Sequence, residues 1–304
     1  MSRRLRLLNA ALRRTAKPML ARTLTPEQAE RDFRRGARLL PAPRGSRLAV
    51  REIPGPSRPL RMTRVIGAQA TDEGAILYFH GGAYVAGSAW THRGLLARLS
   101  AAAGVAAEAP DYRLAQEAKL PAARDDAMAA WVALLEEGYR PERIVLAGDS
   151  AGGGLALGLL ADLCARGTPP AGLVAFSPWT DLSLSGGSHQ SNAEVDPLLP
   201  AWQVADLVEM IVAGGPADPR ISPLFASFDA PPPVLIQASR TEILRDDAIG
   251  MAARLRAAGG EVALDLWPDT PHAWQIFGDW LPEAREARAQ AAAFVRRCLR
   301  MANS

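Results

Sequence analysis

The chain has 304 residues, 48% of them hydrophobic, with a mean hydropathy close to zero, so it reads as a globular, enzyme-sized protein of one domain with an accessory piece or of two domains. No run approaches the roughly 18 apolar residues that a membrane span needs, and Cys164 and Cys298 have no paired spacing, which excludes a disulfide framework and a thiolate metal cluster and fits a reducing cytoplasm. The net charge of +3 is uneven, because residues 1–47 hold thirteen Arg or Lys against Glu27, Glu30 and Asp32 and leave the other residues at −7.

The first 45 residues read as two helices broken near Thr25-Pro26, with Thr25 capping and Pro26 at the first helical position. In the first of them Leu5, Leu8 and Leu12 share a face between Arg3, Arg4, Arg6, Arg13 and Arg14. That pattern suits a membrane-surface or transit-like helix, or an amphipathic helix packed on the main domain; the lack of a cleavage-site signal favours packing. No nucleic-acid-binding motif or aromatic interleaving accompanies the arginines, so nucleic acid is not an expected partner.

From about residue 46 short apolar runs alternate with Ala/Leu-rich stretches, the pattern of parallel strands covered by helices on both faces. Strands are expected near 47–53, 62–66, 75–79, 104–108, 143–147, 172–176, 233–238 and 261–266. Helices are expected near 91–103, 122–137, 151–165, 244–258 and 281–301, with stops at Gly138, Gly167 and Gly259. Residues 182–222 fall outside the alternation as a Gly/Ser/Asn/Pro-rich insertion with one amphipathic helix near Pro200 to Val212. Long excursions from a compact sheet tend to cover a site. There is no internal repeat.

Gly148-Asp149-Ser150-Ala151-Gly152 stands between an apolar strand and a helix, the setting of a nucleophile elbow. The glycines relieve a strained turn, and the helix start favours a developing negative charge beside Ser150. A serine hydroxyl needs a base, and the candidates are His80, His92, His189 and His272. His92, in a first helical turn, and His189, in the insertion, read as solvated or capping groups. His272, at the carboxyl end of the last strand, is the base by elimination. The acid that fixes its tautomer should follow the preceding strand, where Glu242 leads, Asp246 is the alternative and Asp247 reads as a hydrogen-bonding group of the same loop. After the third strand, His80-Gly81-Gly82 offers backbone amides: Gly81, Gly82 and Ala151 are the candidate oxyanion donors, with His80 organising the loop. Trp90, Trp179, Trp202, Trp274 and Tyr84 could line an apolar pocket or serve ordinary packing.

These residues resemble the hormone-sensitive-lipase-like, or bacterial family IV, serine carboxylesterases of the α/β-hydrolase fold. The family's H-G-G-[GA] block is similar to His80-Gly81-Gly82-Ala83, and its G-D-S-A-G-G block to Gly148–Gly153. Its Y-R-L-A-P-E block resembles Tyr112–Glu117, with Gln116 in place of proline, followed by Pro121 and Asp125-Asp126. The segments SPWTDLS, ISPLFA and PHAWQIF extend the likeness over roughly residues 60–295. Where the family often has D-x-L-x-D-[ED], this chain has Glu242-Ile243-Leu244-Arg245-Asp246-Asp247. The resemblance implies an α/β fold with a mostly parallel eight-stranded sheet and a catalytic domain of residues 46–181 and 223–304. It implies a helical cap from residues 1–45 and 182–222, and a triad of Ser150, Glu242 and His272 with Asp149 as motif support. It also implies hydrolysis of short to medium acyl esters through an acyl-enzyme, without cofactor or metal. A lactone hydrolase, a non-catalytic small-molecule receptor on the same fold and a membrane-associated lipase stay open beside it, as does assembly as a homodimer.

Overall fold

The alternating apolar runs become a single layer of strands in the computed structural model, which describes residues 1–23 and 25–301. They are β1 (Arg47–Ile53), β2 (Leu60–Ile66), β3 (Thr71–Phe79), β4 (Val105–Pro110), β5 (Ile144–Asp149), β6 (Gly172–Phe176), β7 (Val234–Ser239) and β8 (Val262–Trp267). One sheet orders them β1-β2-β4-β3-β5-β6-β7-β8. Strand β2 runs antiparallel to β1 and β4, and the other neighbouring pairs are parallel. The expected strands are all present. β3 starts earlier than expected because Thr71–Gly74 lacks an apolar run and joins β4 through a register shift.

Ten α-helices surround the sheet: α1 (Arg3–Arg14), α2 (Ala16–Leu20), α3 (Pro26–Ala37), α4 (Ala89–Ala103), α5 (Ala122–Glu136), α6 (Ala151–Ala165), α7 (Ser188–Ser191), α8 (Val204–Ile211), α9 (Arg245–Ala257) and α10 (Pro282–Met301), counted among the described residues. Strands β4 to β7 are buried along their whole length, so alternate side chains feed two cores. Leu77, Phe79, Leu146 and Ile236 pack with α5, α6 and α9, while Ile76, Tyr78, Val145 and Phe176 pack with α4 and α10. Each such side chain contributes roughly 1.5–3 kcal/mol by leaving water. This double burial is why the strands read as continuous apolar runs. Cys164 and Cys298 are buried free thiols, one in each core.

Helix ends follow their local chemistry. Thr25 Oγ1 accepts the Gln28 N–H ahead of Pro26, as the sequence suggests. Ser88 and Thr91 form a capping box that starts α4 at Ala89, two residues earlier than the apolar pattern indicates. The first N-terminal helix, expected to be continuous, is divided at Thr15, whose hydroxyl donates to Ala11 O instead of extending the helix. The insertion helix expected near 200–212 is a 3₁₀ turn, Ala201–Gln203, leading into α8. The N-terminal helices are fastened to the rest of the chain. Leu5 is fully buried against Trp274, Leu281, Ala284 and Ala287, and the Asn9 amide donates to Asp269 O at 2.6 Å. Lys17 Nζ donates to the carbonyls of Ala193 and Asp196, and Gln203 to Ala21 O. Among the described residues no helix is long and apolar enough to cross a membrane.

Candidate active site

Ser150 occupies the one-residue bend between β5 and α6, with φ 54° and ψ −124°. Its amide donates to Phe176 O, and its carbonyl accepts from Trp179 and Gly154. The bend demands glycine on both sides. A Cβ at Gly148 would strike the Gly152 carbonyl, and one at Gly152 would strike the carbonyls of Phe79 and His80. Since the obstacles are backbone atoms of neighbouring segments, no side-chain rearrangement relieves them.

Two strands along the sheet, Glu242 follows β7. Its Oε2 lies 2.7 Å from His272 Nδ1, and its Oε1 accepts the Ser239 amide at 2.6 Å and the Ser177 hydroxyl at 3.0 Å. Both residues are almost wholly buried. Burial opposes a charge on His272, yet the Glu242 carboxylate outweighs it, with help from Asp196 and Asp149, and raises the imidazole above its ordinary value. Ser177 Oγ also accepts the Ala273 amide at 3.1 Å, so one hydroxyl spans both the acid and the loop carrying the histidine. Because Nδ1 faces Glu242, the Nε2 edge of His272 is left over. Neither that edge nor the Ser150 hydroxyl is hydrogen-bonded to another protein group among the described residues.

Asp246 takes no part in this group. Its Oδ2 accepts the Ser188 amide at 2.8 Å and its Oδ1 pairs with Arg245, so it ties the insertion to the start of α9. Asp247, expected to bond within its own loop, instead accepts the amides of Thr180 and Asp181 after β6. His189 is not solvated, since its Nε2 stands 3.5 Å from Asp247 Oδ2.

The amides after β3 divide into two sets. Gly81, expected as an oxyanion donor, gives its N–H to Asp149 Oδ1 at 3.0 Å, which removes it from the candidates. The amides of Gly82, Ala83 and Ala151 have no acceptor in the described protein. Gly82, Ala83 and Tyr84 have φ of 125°, 55° and 61°, a run of left-handed backbone that keeps these groups out of any ladder. A Cβ on Gly82 would strike Ala86 O, so this residue is held to glycine by both torsion and space. Asp149 Oδ1 also accepts Tyr78 Oη at 2.7 Å and lies 3.3 Å from His92 Nε2. Burial opposes its charge, but His92, Tyr78 and the Gly81 amide together hold its carboxyl below the usual range. His92 is therefore fully buried behind the loop rather than solvated. The sequence showed no sign of this role, because nothing local links residue 92 to residue 149.

His80 stacks on Tyr112 at 4.2 Å, its Nδ1 is 3.0 Å from Gly81 O, and Tyr112 Oη donates to His80 O. Burial and the neighbouring His92 push its imidazole down to about 3. His80 is thus a neutral strut of the loop. Of the aromatic residues, Trp274 is core, packed against Trp267 and Leu5, and Trp90 lies under the guanidinium groups of Arg34 and Arg93. Trp202 is 67% exposed. Tyr84 and Trp179 neighbour each other beside the start of α6, with ring centres 6.4 Å apart. The described residues contain no cluster of three or more His, Cys, Asp or Glu that could hold a metal ion.

Residues 76–276 match a family model described as the alpha/beta hydrolase fold. An acetyl-hydrolase of Streptomyces hygroscopicus is 42% identical over 227 residues, covering 74% of this chain and 76% of its own. An esterase of Acinetobacter venetianus is 36% identical over 78% of this chain and 80% of its own, and an ethyl acetate hydrolase of Pseudomonas putida is 33% identical over 90% and 91%. The crystal structure of an esterase from the bacterial hormone-sensitive lipase family superposes with a TM-score of 0.91 at 35% identity, covering 98% of this chain and 99% of that one.

Proposed function

Since this chain belongs to the α/β-hydrolase family, among its hormone-sensitive-lipase-like (bacterial family IV) carboxylic ester hydrolases, we propose that it cleaves short to medium acyl esters through an acyl-enzyme on Ser150. His272 removes the Ser150 proton as the hydroxyl attacks the ester carbonyl, then gives it to the leaving alcohol. Water, activated by the same imidazole, releases the acid. Glu242 holds the tautomer with Nδ1 protonated and stabilises the imidazolium. The amides of Gly82, Ala83 and Ala151 receive the oxyanion, while Gly81 and Asp149 fix the loop that presents them.

The observation that carries this reading is the 2.7 Å contact between His272 and Glu242 at the carboxyl ends of β7 and β8, in the sheet that also bears the Ser150 bend. Relatives named for acetyl-hydrolase and ethyl acetate hydrolase activity support the short end of the acyl range. The bonds joining Lys17 and Ala21 to residues 193, 196 and 203 support one cap built from residues 1–45 and 182–222. A further tie runs from Glu30 Oε2 on α3 to the Gly87 amide just beyond the oxyanion loop. The test is a panel of chromogenic esters of increasing acyl length, with wild type and Ser150→Ala, combined with labelling by an organophosphonate ester. The expected result is labelling of wild type only and a rate falling with chain length; equal hydrolysis by the two proteins would remove Ser150 from the mechanism.

A further inference from the structure

The sequence of α1 contains five arginines and no acid. The structure separates its two faces. Leu5 and Asn9 are buried and Leu8 is partly buried against the body, whereas Arg3, Arg4, Arg6, Arg13 and Arg14 are exposed on the outside. None of the five lies within ion-pair distance of a carboxylate among the described residues. Of the nearby acids, both oxygens of Glu283 are taken by the Ser2 amide and hydroxyl, and Asp279 pairs with Arg98 and Arg288, while the exposed Glu194 and Asp269 make no ion pair with the helix. Arg4 and Arg13 reach only the carbonyls of Trp280 and Val195.

This arrangement works against the helix itself. Arg3, Arg4 and Arg6 stand in its first turns, the positive end of its dipole, and Arg3 and Arg6 are like charges one turn apart. Among the described residues no ion pair offsets these charges. Exposed apolar groups sit among them: Leu7 is 71% exposed, Met1 59%, and Trp280, whose carbonyl accepts from Arg4, 45%. Unneutralised guanidinium groups mixed with a leucine, a methionine and a tryptophan match a bilayer interface, where phosphate supplies the anion and the acyl boundary takes the apolar tips. The rest of the chain, net negative beyond residue 47, gives the molecule a polarity that turns this face toward an anionic surface.

We propose that the outer face of α1, with Trp280, is a docking surface for an anionic lipid bilayer. The same helix is bonded through Asn9 to Asp269 and packed through Leu5 on Trp274, so it touches the chain just before and just after His272. Docking brings that loop close to esters dissolved in the membrane. The contact is peripheral, because the leucine row is occupied by the body and is not available for deep insertion.

The test is sedimentation of the full chain with vesicles of phosphatidylcholine containing phosphatidylglycerol, against vesicles of phosphatidylcholine alone, at low and high salt. Binding to the anionic vesicles only, reversed by salt, is expected. The triple variant Arg3→Gln, Arg6→Gln, Arg14→Gln should weaken that binding about a hundredfold, with no loss of melting temperature and an unchanged rate on a water-soluble ester. Leu7→Ala should give a smaller, salt-resistant loss. Undiminished binding by the triple variant, equal binding to neutral vesicles, no binding at all, or tighter binding to duplex DNA at matched salt would each overturn the proposal. Vesicle binding is read without catalysis, so its failure leaves the esterase reading untouched.

Discussion

Asp149 accepts the amide of Gly81 at 3.0 Å across a sequence separation of 68 residues. The residue before the candidate nucleophile thereby holds the loop that supplies the candidate oxyanion donors, and the buried His92 and Tyr78 close the same carboxylate from behind. Elbow and loop are one hydrogen-bonded unit.

This unit has a pH signature. The Asp149 carboxyl is depressed in the folded chain, so its contribution to stability is complete above the ordinary carboxylate value and is lost as pH falls through the lower, folded one. Asp149→Asn should unfold at lower denaturant than wild type at neutral pH, by about 1–3 kcal/mol, and the gap should narrow on the acid side. A chemical-denaturation series over pH measures both; a gap independent of pH would show that the carboxylate charge is irrelevant.

The His272–Glu242 pair sets the acid limb of the rate profile. Because the imidazole is raised, kcat/KM should climb with pH through a value above the ordinary one for histidine. In Glu242→Gln the supporting charge is gone while burial persists, so the limb should move to lower pH and the rate should drop by as much as about 10⁴-fold. Stopped-assay rates from acid to neutral pH check the direction of the move. An upward move would contradict the assignment of Glu242 as the partner.

In the sequence Ser177 stands out only as the first residue of the segment SPWTDLS, yet it donates to Glu242 and accepts from Ala273. Ser177→Ala leaves one amide without its acceptor and one carboxylate oxygen short of a donor, at about 1–3 kcal/mol. The expected result is a kcat about tenfold or more lower with little change in KM, since the serine positions the base without touching substrate. A KM effect alone would assign it to binding.

Gly152→Ala should fail to fold or lose several kcal/mol, because the new methyl meets the carbonyls of Phe79 and His80 and no side chain can give way. Gly138→Ala is the control, since it has open space around it and only its positive φ, 95°, to strain. Thermal melts of the two variants rank the effects, and comparable losses would mean that crowding at Gly152 costs no more than torsional strain at Gly138.

Much of this architecture is written locally. Apolar runs buried on both faces announce β3 to β7, and glycine and proline mark where the helices stop, because each signal depends on residues within one turn or one strand. The elbow is legible for the same reason: Gly148, Ser150 and Gly152 meet one steric demand within five residues. Glu242 and His272 could be chosen from strand order alone. Elsewhere the decisive partner is distant in the chain, and there the sequence is silent. It offered Gly81 as an oxyanion donor because a glycine pair can turn its amides outward, but only the packed fold brings Asp149 up to claim that amide. It offered His92 and His189 as solvated or capping groups because one stands in a first helical turn and the other in a Gly/Ser-rich insertion, whereas the fold buries the ring of the first against Asp149, with Nδ1 at the cap of α4, and lays the second on Asp247. It showed the leucines of α1 on one face between the arginines, and left open whether that face would meet the protein or a membrane. Local sterics and hydrophobic period fix elements and turns; the pairing of charges and amides across the sheet is decided only when folding closes the distances between them.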